Sequence, residues 1–339
     1  MPGVSAALDV EIFWSAGIES HIADLRWTSD RTTLVAAGVD GDIACIDVKN
    51  GTIARRWKAH DFSLSSISVV PGGDRVASCG QDRALRIWSL VDGALTAECE
   101  LADSWGVRAE FNPSGDVIAV AAGKHLAFVS PTGSLVRQYP PLASTISDIA
   151  WHGARLASCG YGGVHVWKTD LDARAGLFEW RGSSLVVAWS PDGRFLATGD
   201  QDRTVHFWIV ARGKDLEMSG YPVKVKELAW SADSRYLATG GGADVTVWNC
   251  SGKGPRGTEP LVLEGHEDRL NALAFSRSGM LASGCDGGEI RLWKPLRGSD
   301  SLVTFGTPAA VTKLAWSPDD ALLAIGDATG EVHCAAVRM

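Results

Sequence analysis

Residues 185–208 read LVVAWSPDGRFLATGDQDRTVHFW, and this stretch contains the pattern on which the rest of the chain is built. An apolar run is followed by the turn sequence Ser-Pro-Asp-Gly and by a second apolar run that ends in small residues. An Asp-containing turn then leads to a third run, which ends at Trp208. Short apolar runs separated by such turns predict three antiparallel strands joined by two hairpins.

The same unit occurs eight times along the chain. We define the anchor of a unit as the aromatic or bulky residue just before its first turn, and the anchors are Trp27, Val69, Phe111, Trp151, Trp189, Trp230, Phe275 and Trp316. Successive anchors are 38 to 45 residues apart. A repeat of this length, with a fourth strand between units, is typical of a β-propeller, whose sheets bury their faces against one another. We therefore expect an all-β, eight-bladed β-propeller of four-stranded antiparallel blades.

The two ends of the chain are predicted to share one blade. Residues 8–18 read as a lone strand before the first unit, whereas the last unit, residues 311–337, has three strands and no fourth strand after them. Pairing of residues 10–14 with residues 331–337 completes the last blade and closes the ring. Because the repeat has no break, residues 1–339 are predicted to form a single domain.

Composition argues against several classes of protein. An apolar content of 45% fits a globular protein with a sizeable core, and a net charge of −8 argues against a nucleic-acid backbone as the main ligand. The seven cysteines are odd in number and lack paired metal-ligand spacing, which argues against a disulfide framework and a zinc site. The sequence has no apolar run long enough for a membrane span and no secretory signal pattern at its start. We therefore expect a cytoplasmic protein.

Four residues of the second unit have the spacing of a continuous polar chain. The Asp82 carboxylate can accept a hydrogen bond from the His60 imidazole. The Ser78 hydroxyl can bridge His60 and the indole N–H of Trp88, so that a turn and two strands are joined. We call His60, Ser78, Asp82 and Trp88 the first polar chain.

With this polar chain and the repeat period, the sequence resembles the Trp-Asp (WD) repeat family of β-propellers over essentially its whole length. Two further units keep part of the pattern. In one of them Gly287 stands at the Asp position, and in the other Trp180 stands at the His position. The retained structural residues of these two units are His266, Ser283 and Trp293 in the first case and Thr198, Asp202 and Trp208 in the second.

Sequence motifs of common enzymes are absent. The chain has no Gly-x-Ser-x-Gly elbow, no phosphate-binding loop that ends in Gly-Lys-Ser/Thr, and no His-Glu-x-x-His. We therefore expect no catalytic residues, no cofactor and no metal ion. The alternative is a small-ligand or metal-dependent hydrolase-type propeller, because several blades can contribute ligands to a polar central channel that a linear motif search does not detect.

One face of the predicted ring presents the loops before each first strand together with the Asp turns. Aromatic and basic residues concentrate at these positions, and such residues dominate the energetics of protein interfaces. The resemblance to the WD-repeat family implies that peptides and partner proteins dock on this face. We therefore predict a protein–protein interaction scaffold, either monomeric or a subunit of a larger complex. The candidate partner-binding residues are His21, Arg83, Trp105, Tyr161, Trp180, Arg181, Arg203, Tyr221, Lys224 and Arg269.

Overall fold

The computed structural model describes residues 8–101, 104–295 and 298–338, which consist almost wholly of β-strands and turns. A single turn of 3-10 helix occurs in these ranges, at Val210–Arg212. No helix in the described ranges is long and apolar enough to cross a membrane. The strands of this part of the chain are numbered β1 to β30 in chain order.

Six of the sheets are antiparallel and four-stranded. The first three contain β2 (Ile22–Trp27), β3 (Thr33–Gly38), β4 (Asp42–Asp47) and β5 (Ile53–Lys58); β6 (Leu64–Val69), β7 (Arg75–Gly80), β8 (Ala84–Ser89) and β9 (Leu95–Glu100); and β10 (Gly106–Phe111), β11 (Ile118–Ala122), β12 (His125–Val129) and β13 (Leu135–Gln138).

The other three four-stranded sheets follow the same order, except that the last one uses the opening strand of the chain. They contain β20 (Leu228–Trp230), β21 (Tyr236–Thr239), β22 (Val245–Asn249) and β23 (Leu261–Leu263); β24 (Leu270–Phe275), β25 (Leu281–Cys285), β26 (Glu289–Trp293) and β27 (Ser301–Gly306); and β28 (Val311–Trp316), β29 (Leu322–Asp327), β30 (Glu331–Arg338) and β1 (Asp9–Gly17).

The remaining sheet has six strands. It contains β14 (Ile146–His152), β15 (Arg155–Lys168), β16 (Gly176–Trp189), β17 (Phe195–Asp200), β18 (Val205–Ile209) and β19 (Lys214–Met218).

The prediction of eight four-stranded blades is wrong, because strand pairing divides the described strands into seven sheets. The fourth and fifth sequence units, whose anchors are Trp151 and Trp189, lie in the same six-stranded sheet. The cause is the unusual length of β15 and β16, each of which has 14 residues. Tyr161 pairs with Ser183, so the ladder continues where other units turn. Counted as hydrogen-bonded sheets, the propeller has seven blades, six of four strands and one of six strands.

The strands that carry the anchors form the inner wall of the ring. Strand β2 contacts β6, β6 contacts β10, and the series continues through β14, β16, β20, β24 and β28 back to β2. Apolar clusters fill the space between neighbouring sheets. One of them joins Ile22 and Leu25 of β2 to Ala324 of β29 and Val332 of β30. Both faces of the inner strands are therefore covered.

The predicted closure of the ring by the two chain ends is confirmed. Strand β1 pairs antiparallel with β30, from Asp9 opposite Arg338 to Gly17 opposite Glu331, with an irregularity between Ile12 and Trp14. The Trp14 side chain is buried, and its Nε1–H donates to the carbonyl oxygen of Val48 at 2.8 Å. This bond joins the closing sheet to the next sheet in the ring.

The indole N–H groups of four anchor tryptophans connect neighbouring units. Each acceptor is a carbonyl oxygen in the preceding unit, on the residue just before that unit's anchor. Such bonds fix the relative height of adjacent inner strands, since donor and acceptor lie on different strands. The donor and acceptor pairs are Trp27 and Ala315, Trp151 and Glu110, Trp189 and Ala150, and Trp316 and Ala274, at 2.9 to 3.1 Å.

The Ser-x-Asp sequence fixes the first hairpin of several units. The Ser190 hydroxyl donates to Asp192 at 2.7 Å and accepts from the backbone N–H of Phe195 at 3.0 Å. Ser231 and Ser317 make the equivalent pairs of bonds in their own units. A side chain that bonds to nearby backbone favours a turn over a continued strand, so these residues end the first strand.

Candidate partner-binding face

The first polar chain has the hydrogen bonds that its spacing predicts. His60 Nδ1 lies 2.8 Å from Asp82 Oδ1, and His60 Nε2 lies 2.8 Å from Ser78 Oγ, which also accepts from Trp88 Nε1 at 3.0 Å. Burial lowers the pKa of His60, although Asp82 opposes this shift. Burial disfavours the charged form of Asp82, but hydrogen bonds from Arg86 and His60 outweigh this effect and lower its pKa. Sequence analysis did not identify Arg86.

A second polar chain forms with a different carboxylate. His266 Nε2 lies 2.7 Å from Ser283 Oγ, which accepts from Trp293 Nε1 at 2.8 Å. The other ring nitrogen of His266, Nδ1, lies 2.9 Å from Glu289 Oε1. The sequence has Gly287 at the expected Asp position, so Glu289, two residues later, supplies the carboxylate. A search at fixed spacing does not detect this exchange.

The third predicted group, Thr198, Asp202 and Trp208, forms a different arrangement. The Thr198 hydroxyl donates to Asp200 at 3.4 Å, and Asp202 accepts from the hydroxyl of Thr204 at 2.8 Å. Trp208 is buried. The interpretation of this trio as one polar chain is corrected, because Thr198 bonds to a carboxylate that sequence analysis did not consider.

Two of the candidate partner-binding residues, Tyr221 and Trp180, make side-chain contacts within the propeller. The Tyr221 hydroxyl accepts from Trp248 Nε1 at 2.9 Å and lies 2.7 Å from Thr239 Oγ1, so it completes a polar chain in its own sheet. The half-buried Trp180 ring stacks on the His206 ring, with centroids 3.6 Å apart. Both side chains are half-buried, and their role in binding a partner stays a prediction.

Three other candidates, Arg203, Lys224 and Arg269, come together in one groove. Arg203 lies in the turn between β17 and β18, Lys224 in the loop before β20, and Arg269 just before β24. The groove has a volume of about 560 Å³ and lies on the face that presents these loops. Its remaining lining residues are Gln201, Pro222, Val223, Lys226, Glu227, Gly241, Gly242 and Asn271.

The groove is strongly basic. Within residues 8–101, 104–295 and 298–338, Arg203, Lys224 and Lys226 form no ion pair. Arg269 Nε lies 3.2 Å from Asp286 Oδ2, in a pair whose side chains are about half exposed. Glu227 is the one carboxylate among the lining residues, and burial raises its pKa. The groove therefore presents positive charge on a chain whose net charge is −8.

The five remaining candidates are exposed but do not line this groove. Of the aromatic side chains among them, Trp105 is 57% and Tyr161 is 63% accessible to solvent. They are distributed over other parts of the ring, so the ten candidates do not form one continuous site. These five residues are His21, Arg83, Trp105, Tyr161 and Arg181.

The inner strands carry a network of charged side chains that sequence analysis missed. Arg26 lies 3.2 Å from Asp24, and Arg108 Nε lies 3.4 Å from Asp148 Oδ1. Burial raises the pKa of Asp148, and the charge of Arg108 opposes this shift. Most of these residues lie three positions before an anchor, and this regularity was available in the sequence. The network comprises Asp24, Arg26, Arg108, Glu110, Asp148 and Lys313.

Across the part of the chain that the structure describes, no group of three or more His, Cys, Asp or Glu side chains is arranged to hold a metal ion. The carboxylates of the inner strands have arginine and lysine as neighbours, as in the pairs of Asp24 with Arg26 and Asp148 with Arg108. This arrangement resembles a structural ion-pair network.

Comparison with known proteins identifies repeats of one family. The model of the WD domain, G-beta repeat, matches residues 51–89, 182–208, 216–249 and 257–294. The 66 kDa stress protein of Physarum polycephalum is 25% identical over 59% of this chain and 41% of its own length. Autophagy-related protein 16 of Arabidopsis thaliana is 24% identical over 62% of this chain and 42% of its own length. Echinoderm microtubule-associated protein-like 3 of Homo sapiens is 26% identical over 62% of this chain and 24% of its own length.

The chain thus spans less than half the length of these relatives. A similar solved structure is that of the computationally designed Ika8 protein, with a TM-score of 0.83 and 22% sequence identity. The similarity covers 94% of this chain and 97% of that one. At this identity the likeness establishes the fold alone.

Proposed function

We propose that this chain, which belongs to the WD40-repeat family, is a non-catalytic scaffold that binds a partner protein or peptide on the face defined by the loops before the first strands and the Asp turns. WD40 propellers generally act as protein-interaction scaffolds. The binding face and the absence of catalysis are our proposal for this chain.

The observation that carries the proposal is the convergence of Arg203, Lys224 and Arg269 in one groove. The three residues come from three successive sequence units, so the groove exists only because the sheets are arranged in a ring. Basic side chains on loops that the ring holds side by side are suited to orient a partner. A volume of about 560 Å³ accommodates several side chains of a bound peptide.

The hydrolase-type alternative would place its chemistry in the central channel. The charge network there already supplies counter-charges within the protein, as in the pairs of Asp24 with Arg26 and Asp148 with Arg108. These carboxylates therefore need no metal ion for charge balance, which favours the scaffold. Elemental analysis of the purified protein distinguishes the two, because stoichiometric metal would support the alternative.

The scaffold proposal is tested by affinity purification from the native host and identification of the proteins that copurify. The double substitution Trp105→Ala with Arg269→Ala removes an exposed aromatic residue and a groove cation from the proposed face. We expect it to reduce recovery of the wild-type partner at least tenfold. The matched control, Leu135→Ala with Arg256→Ala, changes exposed residues elsewhere and should leave recovery unchanged. Undiminished recovery with the double variant, while the fold is intact, would refute the assignment of this face.

A further inference from the structure

The basic groove has more positive than negative charge among its lining residues. Its lining has four cationic side chains and one carboxylate, Glu227. In the described part of the chain, Arg203, Lys224 and Lys226 have no ion-pair partner. Arg269 forms an ion pair with Asp286 in which both side chains are about half exposed to solvent. Like charges placed close together repel one another, so this arrangement costs stability unless an anion binds there.

The walls of the groove are held by backbone hydrogen bonds between its loops. The N–H of Val225 donates to the carbonyl of Asp200 at 3.2 Å, and that of Val223 donates to Gly241 at 3.2 Å. The N–H of Leu270 donates to Gly242 at 2.9 Å. The Val225 side chain is fully buried beneath the loop. The cations therefore project from segments that are already ordered, which lowers the entropic cost of binding a ligand.

The groove also contains apolar surface. Val223 is 39% exposed, and Pro222 lies beside it in the lining. An anionic partner with an aliphatic side chain next to its acidic residues fits this combination of charges and apolar contact. A nucleic-acid backbone fits less well, because the net charge of −8 repels an extended polyanion outside the groove.

We infer that the groove lined by Arg203, Lys224, Lys226 and Arg269 recognises an acidic peptide segment, in which closely spaced Asp or Glu carboxylates meet the cations and an adjacent aliphatic residue covers Val223. This inference rests on the proposed scaffold function and specifies the chemistry of its partner. It also gives Glu227 a definite role, since its carboxylate opposes binding of an acidic segment.

The test begins with a random dodecapeptide library that is selected on the immobilised full chain. We expect the enriched peptides to be acidic, with a net charge of about −3 or lower. One enriched peptide is then measured by fluorescence anisotropy against the wild-type chain and its variants. The inference is overturned if the library yields no enrichment of acidic sequences.

The variant that removes the groove charge is Arg203→Gln with Lys224→Gln and Lys226→Gln, and we expect it to weaken binding at least tenfold. Its matched control neutralises one arginine and two lysines that are exposed at the opposite end of the ring, as Lys49→Gln with Lys253→Gln and Arg256→Gln. The control should weaken binding less than twofold. Equal losses from the two triple variants would mean attraction by overall charge and would overturn the inference.

A single substitution tests whether the carboxylate of the groove opposes binding of the acidic peptide. Glu227→Gln removes the carboxylate of the groove and should strengthen binding of the acidic peptide at least threefold. Weakened binding contradicts the inference. A twelve-nucleotide thymidine oligomer serves as a competitor, and displacement of the labelled peptide at a lower concentration of the oligomer than of unlabelled acidic peptide also contradicts the inference.

The outcomes separate this inference from the proposed function. If neutral or basic peptides are enriched and their binding is lost in the Trp105→Ala, Arg269→Ala variant, the result supports partner binding on the proposed face and contradicts recognition of an acidic peptide. If the enriched peptides bind both that variant and the triple groove variant as tightly as they bind the wild-type chain, both proposals fail.

Discussion

A serine hydroxyl accepts the indole N–H of a tryptophan in three of the repeated units. The pairs are Ser78 with Trp88, Ser158 with Trp167, and Ser283 with Trp293, at 2.8 to 3.0 Å. All three serines are fully buried. A buried indole N–H that lacks an acceptor costs about 1 to 3 kcal/mol, so these serines matter more than their size suggests.

Substitution of Ser78 by alanine tests this directly. The change leaves both Trp88 Nε1–H and His60 Nε2 without their partner, and we expect the free energy of unfolding to fall by about 1 to 3 kcal/mol. The measurement is urea denaturation followed by tryptophan fluorescence. Ser251→Ala, at an exposed position, is the control and should change the value by less than about 0.5 kcal/mol. A Ser78→Ala variant as stable as the control would exclude a stabilising role for the polar chain.

Asp200 gives a second prediction at the residue scale. Burial raises the pKa of this carboxyl to about 6, against 3.8 for an ordinary aspartate. Between about pH 4 and pH 6 the folded state therefore binds more protons than the unfolded state, and stability falls as the pH rises through this window. Because asparagine cannot ionise, Asp200→Asn should be more stable than the wild type at pH 7, by up to about 3 kcal/mol.

The pH dependence distinguishes this effect from a general change of stability. Chemical denaturation at pH 4, 5, 6 and 7 should show that the free energy of unfolding declines less with rising pH for Asp200→Asn than for the wild type. Asp61→Asn removes the same charge from an exposed residue and should leave the decline unchanged. Parallel pH profiles for Asp200→Asn and the wild type would mean that folding does not raise the pKa of Asp200.

Residue chemistry was predictable from the sequence where the spacing is regular. The residues of the first polar chain were found because His60, Ser78 and Asp82 stand at their standard positions. Glu289 and Tyr221 were missed in this role because a longer carboxylate and a phenol reach the same place from other positions. A rule based on fixed spacing does not detect a side chain that supplies the same polar group from a different position in the sequence.

At the scale of the strand, β1 is the element on which closure of the ring depends. It pairs with β30 from Asp9 to Gly17 with one irregularity between Ile12 and Trp14, and Trp14 connects it to the neighbouring sheet through Val48. Sequence analysis predicted this pairing because the last unit lacked a fourth strand. The fusion of units four and five was not predicted, since continuation of β15 through Tyr161 depends on its pairing with Ser183, which is distant in the sequence.

Trp14→Ala tests the contribution of this element. The change removes a buried side chain together with its hydrogen bond to Val48, and we expect a loss of about 3 to 5 kcal/mol in the free energy of unfolding. Limited proteolysis should then cleave the chain near β1 first. The adjacent Phe13→Ala is a control on the same strand, because Phe13 is 39% exposed, and it should cost about 1 kcal/mol. Equal losses for the two variants would show that burial of Trp14 does not secure the closure.

At the scale of the whole molecule, the groove is positively charged, whereas the chain as a whole is negatively charged. The chain carries a net charge of −8, yet its groove carries three cations without an ion-pair partner in the described part of the chain. Sequence analysis selected Arg203, Lys224 and Arg269 individually by their places in the repeat. It could not predict that they share one groove while Trp105 and Tyr161 lie elsewhere, because this depends on how successive sheets are rotated about the axis.

The most direct test of the scaffold account is cross-linking of the natural complex. The complex is purified from the host and treated with an amine-reactive cross-linker, and the linked lysines are then identified by mass spectrometry. Lys224 and Lys226 mark the groove, whereas the exposed Lys49 and Lys253 mark the opposite end of the ring. We expect partner cross-links to Lys224 and Lys226. Partner cross-links confined to Lys49 and Lys253 would contradict it.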